Sequence, residues 1–177
     1  MKRIKYIFVL GLGALTINNT LATDQGSGTV TFKGSIIDAP CSISPDTANQ
    51  TVDLGQISSA AIEAGTTTPV PFQLKLENCT LTDENTVTVT FNGTPNYYDS
   101  TVLGLSGTGG NDTAVGIVLG DQSGQKIALG SPSAAQQLQN GANTLQFSAW
   151  LDDITRGWDI ITPGDFSSVA NFTMNYQ

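Results

Sequence analysis

Hydrophobic and polar positions alternate along several short stretches of this chain, most clearly over residues 164–177. The apolar members are Phe166, Ala170, Phe172, Met174 and Tyr176, and the polar members are Asp165, Asn171, Thr173, Asn175 and Gln177. A period of two is typical of a half-buried β-strand. We therefore expect the chain to end on a strand, which must be paired on both sides or leave an exposed edge.

Residues 26–37 show the same alternation near the other end of the chain. One face carries Gly28, Val30, Phe32, Gly34 and Ile36, and the other is polar. Glycine weakens a strand and leaves room for a close neighbour, so two glycines on the apolar face are unusual for a strand that only fills its own core. An ordinary first strand remains the alternative interpretation.

The middle of the chain predicts further strands and little helix. The strand segments are residues 70–77, 87–91, a central one at 114–120, 126–129 after a turn at 121–124, and 145–151 after a turn at 141–143. Residues 58–63 and 132–139 could each hold one or two helical turns. Short strands separated by turn signals indicate a single all-β sandwich domain.

The first 22 residues have the pattern of a secretory signal peptide. Lys2, Arg3 and Lys5 precede an apolar run over residues 6–15, and small residues end at Ala22, after which we expect cleavage. The run is too short to span a bilayer. We therefore expect an exported protein without membrane insertion.

The charge balance is strongly acidic. The 177 residues carry 7 basic and 15 acidic side chains, a net charge of −8. Residues 1–22 contain three of the basic and none of the acidic ones, so 4 − 15 leaves about −11 after cleavage. A protein of this charge repels phosphate, and we expect no nucleic-acid partner.

The chain contains two cysteines, Cys41 and Cys79, and no histidine. In an exported chain an isolated pair predicts a disulfide. Closing a loop of this length stabilises the fold by about 4 kcal/mol in the loop-entropy model. Two thiols without histidine do not make a zinc site, and we expect neither a metal nor another cofactor.

Catalysis is not expected either. The absence of histidine removes the usual general base and the Ser-His-Asp arrangement. Asp152, Asp153 and Asp159 lie close together in sequence, where paired carboxylates could act in a sugar hydrolase or bind calcium. A solvated acidic loop between strands is the favoured interpretation.

Two tryptophans, Trp150 and Trp158, flank that acidic loop. Exposed tryptophans can stack on sugars, which keeps a secreted carbohydrate-binding module as an alternative function. The favoured interpretation is that both pack against the end of the sandwich.

The chain resembles the chaperone–usher pilins of Gram-negative bacteria, most closely the type 1 major fimbrial subunits. The signal peptide and four segments carry the resemblance: GTVTFKGSIIDAPC at 28–41, FQLKLENC at 72–79, VGI at 115–117, and the terminal stretch with Gly164 and a penultimate tyrosine. The resemblance covers nearly the whole chain after residue 22. The segment of residues 150–163 is longer and more aromatic than expected in this family, and we interpret it as subunit-specific surface.

The resemblance implies an incomplete immunoglobulin-like sandwich that lacks its final strand and is completed in trans by a donor strand. Residues 1–22 would be the signal peptide, 23–36 the N-terminal donor-strand extension and 37–177 the pilin domain. The function implied is a structural subunit of a surface fimbria that supports cell adhesion, exported through the periplasm. A minor adaptor or tip pilin of the same pathway is the alternative within this class.

The resemblance also assigns partners and site residues. The partners are a periplasmic pilus chaperone, an outer-membrane usher and neighbouring pilin subunits in a homopolymer. In the donor strand, Val30, Phe32 and Ile36 would fill a neighbour's groove, and Gly28 or Gly34 would lie where that groove is too shallow for a side chain. The groove and chaperone-binding residues would be Gly164, Phe166, Phe172, Met174 and Tyr176, with the carboxylate of Gln177 as the chaperone's anchor.

Overall fold

The computed structural model describes residues 27–83, 85–107 and 113–177; the predicted signal peptide lies outside them. The chain divides into two units, Met1–Ile36 and Ile37–Gln177. Residues 27–37 form no strand within the chain, although their alternation is strand-like. No helix in the described part is both long and apolar enough to cross a membrane.

The second unit is built from short antiparallel strands, as predicted. Its elements are β1 (Ser42–Ile43), α1 (Pro45–Ala48), α2 (Ser59–Glu63), β2 (Val70–Cys79), β3 (Thr86–Gly93), β4 (Val115–Asp121), β5 (Lys126–Ile127), β6 (Gln136–Gln137), β7 (Gly141–Asp153) and β8 (Ala170–Tyr176). One sheet has the order β1-β2-β7-β4-β5 and the other the order β6-β3-β8. Neither sheet closes on itself.

The core lies between the two sheets and is centred on three phenylalanines. Phe91 of β3 contacts Phe147 of β7 edge-on, with ring centroids 5.2 Å apart, and contacts Phe72 of β2 at 6.0 Å. Phe72 and Phe147 stack at 5.6 Å within the five-stranded sheet. Because these rings join the inner faces of both sheets, the predicted all-β sandwich is confirmed.

The predicted disulfide is also confirmed. Cys41 and Cys79 are bonded, with Cα atoms 4.1 Å apart, and both are buried. The bond ties the segment preceding β1 to the end of β2. The main-chain N–H of Thr80 donates to the carbonyl of Pro40 at 2.9 Å and reinforces the same junction.

Some local predictions were wrong. Residues 132–139 form no helix, because Ser133 bonds to β3: its N–H donates to the Val89 carbonyl, and its Oγ accepts from the Val89 N–H. Residues 141–143 are not a turn but the start of β7, where Gly141 pairs with Cys79. The helix α1 was not predicted. Strand β4 is a buried interior strand, as predicted, and lies between β7 and β5.

The final strand exists but is shorter than its alternation suggests. It begins at Ala170, and residues 164–169 lie ahead of it in irregular structure. Ser167 instead forms an isolated bridge with Ser106, and both main-chain N–H groups donate across it at 2.6 and 2.8 Å. The alternation therefore continues beyond the residues that pair with β3.

Candidate functional site

Strand β8 forms one edge of the three-stranded sheet. It pairs antiparallel with β3 from Val87↔Tyr176 to Gly93↔Ala170, and no strand in the described part of the chain pairs with its other side. Thr86 and Gln177 exchange two main-chain hydrogen bonds of 2.9 Å. Hydrogen-bonded and non-hydrogen-bonded pairs alternate along such a ladder, so the N–H and C=O groups of alternate β8 residues point away from β3. These residues are Phe172, Met174 and Tyr176, and the edge can accept a further strand.

The side chains of the same three residues are only half-buried. Their register partners on β3 are Phe91, Val89 and Val87, which are 3%, 0% and 0% exposed. Phe172, Met174 and Tyr176 pack against that core, but each keeps part of its surface in solvent. The hydrophobic core is therefore fully buried at β3 and still open to solvent at the neighbouring strand β8.

Tyr176 lies at the end of this apolar row. Its hydroxyl donates to Sδ of Met174 at 3.5 Å. Burial raises the pKa of the Tyr176 phenol above its ordinary value, because removal from water disfavours the phenolate. Gln177 follows it, with an exposed side chain and a main-chain oxygen held by Asn85 and Thr86.

Gly164 and Phe166 lie ahead of β8 rather than on it. Both line a cavity of about 110 Å³, in which Phe166 is half-buried and Gly164 is exposed. The other apolar side chains of the wall include Ile57, Leu105 and Ile161. The structure therefore brings Phe172, Met174 and Tyr176 together on one strand, and places Gly164 and Phe166 in a neighbouring loop.

The predicted donor-strand residues are exposed in the first unit. Val30, Phe32 and Ile36 have relative exposures of 75%, 89% and 104%. A Cβ atom added to Gly28 or Gly34 would meet nothing within 4 Å. Large apolar side chains are costly to leave in water, at roughly 1.5–3 kcal/mol each relative to full burial.

The predicted acidic loop is only partly a solvated loop: Asp152 and Asp153 are the last residues of β7, whereas Asp159 is exposed in the loop that follows. Asp153 is 9% exposed, and its Oδ1 accepts from the N–H and hydroxyl of Thr155 at 2.8 and 2.7 Å and from the N–H of Arg156 at 2.9 Å. This carboxylate stabilises the turn that follows β7. Among the described residues, no group of three or more His, Cys, Asp or Glu side chains could hold a metal ion.

The two tryptophans behave differently from each other. Trp150 is half-buried, and its ring lies so close to Gly120 that an added Cβ there would come within 2.6 Å. Trp158 is 66% exposed and contacts Tyr98 edge-on at 4.8 Å, and Tyr98 contacts Tyr97 at 4.9 Å. The packing interpretation holds for Trp150 and is wrong for Trp158. The sequence gives no sign that Tyr97 and Tyr98 lie near Trp158, because they are distant from it along the chain.

Comparison with known proteins gives one consistent result. The family model described as "Fimbrial protein" matches residues 30–177. The chain is 46% identical to the major MR/P fimbria protein of Proteus mirabilis over 179 residues, covering 100% of both chains. It is 42% identical to the fimbria A protein of Serratia marcescens over 178 residues, covering 100% of this chain and 99% of that one.

Solved structures show the same likeness. A chaperone–usher pilus structure described in terms of rod uncoiling is 34% identical with a TM-score of 0.74, covering 86% of this chain and 97% of that one. The crystal structure of the P pilus rod subunit PapA is 32% identical with a TM-score of 0.68, covering 78% of this chain and 100% of that one.

Proposed function

Since the chain belongs to the fimbrial protein family and is a structural, non-enzymatic pilus subunit, we propose that it polymerises by donor-strand exchange through the open edge of β8. The observation that carries this proposal is the half-exposed row of Phe172, Met174 and Tyr176, whose main-chain groups face the unpaired side. The immunoglobulin-like sandwich of this family thus leaves a place for one more strand.

The strand that fills this place comes from a neighbouring copy. In this scheme residues 1–22 are removed on export, residues 23–36 are the donor arm and residues 37–177 are the pilin domain. Val30, Phe32 and Ile36 enter the groove of the preceding copy, and Gly28 or Gly34 lies over its shallow part. Burying these three side chains, and completing the burial of Phe172, Met174 and Tyr176, contributes on the order of 10 kcal/mol before ordering costs, and main-chain pairing adds to it.

Before assembly, the same edge needs temporary cover. A periplasmic chaperone lends a strand to β8 and binds the Gln177 end through basic side chains, and an outer-membrane usher passes the subunit to the growing surface fimbria. Phe166, Gly164 and the cavity they line belong to the same contact region. The relatives named as major subunits support a major rather than an adaptor or tip role.

Deleting residues 23–35 tests the proposal. The variant folds on its chaperone but cannot be joined to the groove of the preceding subunit, so electron microscopy shows no fibres of normal length. A matched pair isolates the apolar face: replacing Val30, Phe32 and Ile36 by Asp abolishes fibres, whereas replacing Thr29, Thr31 and Ser35 by Asp does not. Fibres of normal length from the deletion variant would contradict the proposal.

A second candidate function rests on the exposed Trp158, Tyr98 and Tyr97 rings, which could stack on a neutral sugar. In that case the pilus subunit would also bind carbohydrate. Glycan binding by the fibre that is lost in Trp158→Ala would favour this candidate, and a fibre that binds no glycan would contradict it.

A further inference from the structure

The three-stranded sheet ends in a hydrogen-bond cluster around the main chain of Gln177. Its main-chain oxygen accepts from the N–H of Asn85 at 2.9 Å, the N–H of Thr86 at 2.9 Å and the hydroxyl of Thr86 at 3.1 Å. The N–H of Gln177 donates back to the Thr86 carbonyl at 2.9 Å. One oxygen therefore has three donors, which is more than the pairing of two strands requires.

This cluster is also tied to the opposite side of the sheet. The carbonyl of Asn85 accepts from the N–H of Leu138 at 2.8 Å, and Leu138 is buried in the core. Asn85 thus links the β6 segment to the end of β8. The cluster is therefore anchored to the hydrophobic core through Leu138, and not only to the end of β3.

Side-chain pattern alone leaves the register of β8 weakly specified. A slip of one residue would turn Phe172, Met174 and Tyr176 to the solvent side, and the buried face excludes it. A slip of two residues keeps them on the inner face, where β3 presents the similar residues Val87 and Val89. On the outer face β3 and β8 offer mostly threonines and asparagines, which also tolerate such a slip.

The cluster distinguishes these registers because a slip of two residues would move Gln177 away from all three donors. We propose that Thr86 is a positioning residue which, together with the Asn85 N–H, clasps Gln177 and holds β8 in the single register in which its open edge accepts a strand. This inference rests on the proposed function, since it concerns how the same edge is prepared. It assigns a role to a residue outside the groove lining.

The role of the Thr86 hydroxyl can be tested with three variants of the full chain. Thr86→Val removes it and keeps a β-branched shape, Thr86→Ser retains it, and Thr88→Val is the matched control on the same face of β3. Thr88 is the register partner of Asn175, and its hydroxyl is not part of the clasp. Thr86→Ala is the replacement if the valine variant fails to fold.

Two readouts are measured on each variant after its release from the chaperone: amide hydrogen exchange along β8, and the rate of uptake of a dye-labelled synthetic peptide of residues 23–36. For Thr86→Val we expect exchange at Gln177 and Asn175 to rise about five- to tenfold, the effect of one lost hydrogen bond. Peptide uptake falls by a similar factor, because only the correct register is competent. The Thr86→Ser and Thr88→Val variants behave like the wild type.

The outcomes separate this inference from the proposed function. The inference would be overturned if Thr86→Val and the wild type had equal amide hydrogen-exchange rates and equal peptide-uptake rates. It would also be overturned if Thr88→Val changed both rates as much as Thr86→Val does. Faster amide exchange at Gln177 and Asn175 with unchanged peptide uptake would show that the hydroxyl has a merely structural role, and would also overturn the inference. If the wild type takes up no peptide at all, the proposed donor-strand exchange is wrong. The amide hydrogen-exchange rates would still show whether Thr86 holds Gln177 in place.

Discussion

The partial burial of Tyr176 should make the stability of the domain depend on pH in the alkaline range. Burial raises the pKa of its phenol, so the folded state keeps a proton that the unfolded chain releases near pH 10. A group of this kind contributes its full stability below its unfolded pKa and loses it as the pH rises through the folded pKa. We expect the free energy of unfolding to fall above about pH 10. Tyr176→Phe should reduce that fall in denaturant titrations, and an identical alkaline profile for both proteins would contradict this account.

The same side chain should matter for chaperone capture. Tyr176→Ser removes a half-buried ring from the edge that we propose the chaperone strand covers, which would cost apolar contact in the complex. We expect a lower periplasmic yield of the chaperone-bound subunit, measured by co-purification. Asn175→Ser is the control, because Asn175 is exposed. An unchanged yield for Tyr176→Ser would count against the assignment.

At the scale of elements, the two glycines of the arm should act only in assembly. Nothing lies within 4 Å of a Cβ added at Gly28 or Gly34, so the side chain of leucine has open space in the isolated subunit. In the proposed donor-strand arrangement, the glycine over the shallow part of a neighbour's groove would have no room for a leucine side chain. We expect at least one of Gly28→Leu and Gly34→Leu to block fibre formation while neither changes the unfolding midpoint. Normal fibres from both would contradict the proposed donor strand.

Strands were predictable from sequence where the alternation of apolar and polar residues covers the same residues that pair in the sheet. Leu145, Phe147 and Ala149 point inward on β7, as their spacing indicates, and the apolar row of β8 faces the core. The alternation did not predict where β8 begins. Gly93 allows the chain at Val169 to approach so closely that an added Cβ would lie 2.6 Å from the Val169 oxygen. That contact is tertiary and leaves no local signal.

Elements governed by distant partners were not predictable either. Residues 132–139 have helix-compatible composition, but Ser133 bonds to Val89, 44 residues away. Asp153 carries no local sign of burial, yet it binds the turn at Thr155 and Arg156. The clasp is of the same type, since Thr86 meets Gln177 across 91 positions. Such contacts follow from topology, which periodicity does not specify.

At the scale of the whole molecule, the disulfide supports a domain that lacks a strand. Cys41 and Cys79 join the beginning of the sheet to the end of β2 across 38 positions. We expect the double variant Cys41→Ser/Cys79→Ser to lose about 4 kcal/mol of unfolding free energy by the loop-entropy model. Denaturant unfolding of the chaperone-released subunit measures this loss. A variant as stable as the wild type would show that the sandwich is stable without the link.

In the proposed fibre, β8 of one copy is completed by the arm of the next. The most direct test is cryo-electron microscopy of fibres formed by the full chain, at a resolution that shows side chains. We predict that the arm of a neighbouring copy, within residues 23–36, lies along β8 and is bonded to the outward main-chain groups of Phe172, Met174 and Tyr176. A β8 edge left unpaired in the fibre, or paired with the arm of its own copy, would contradict it.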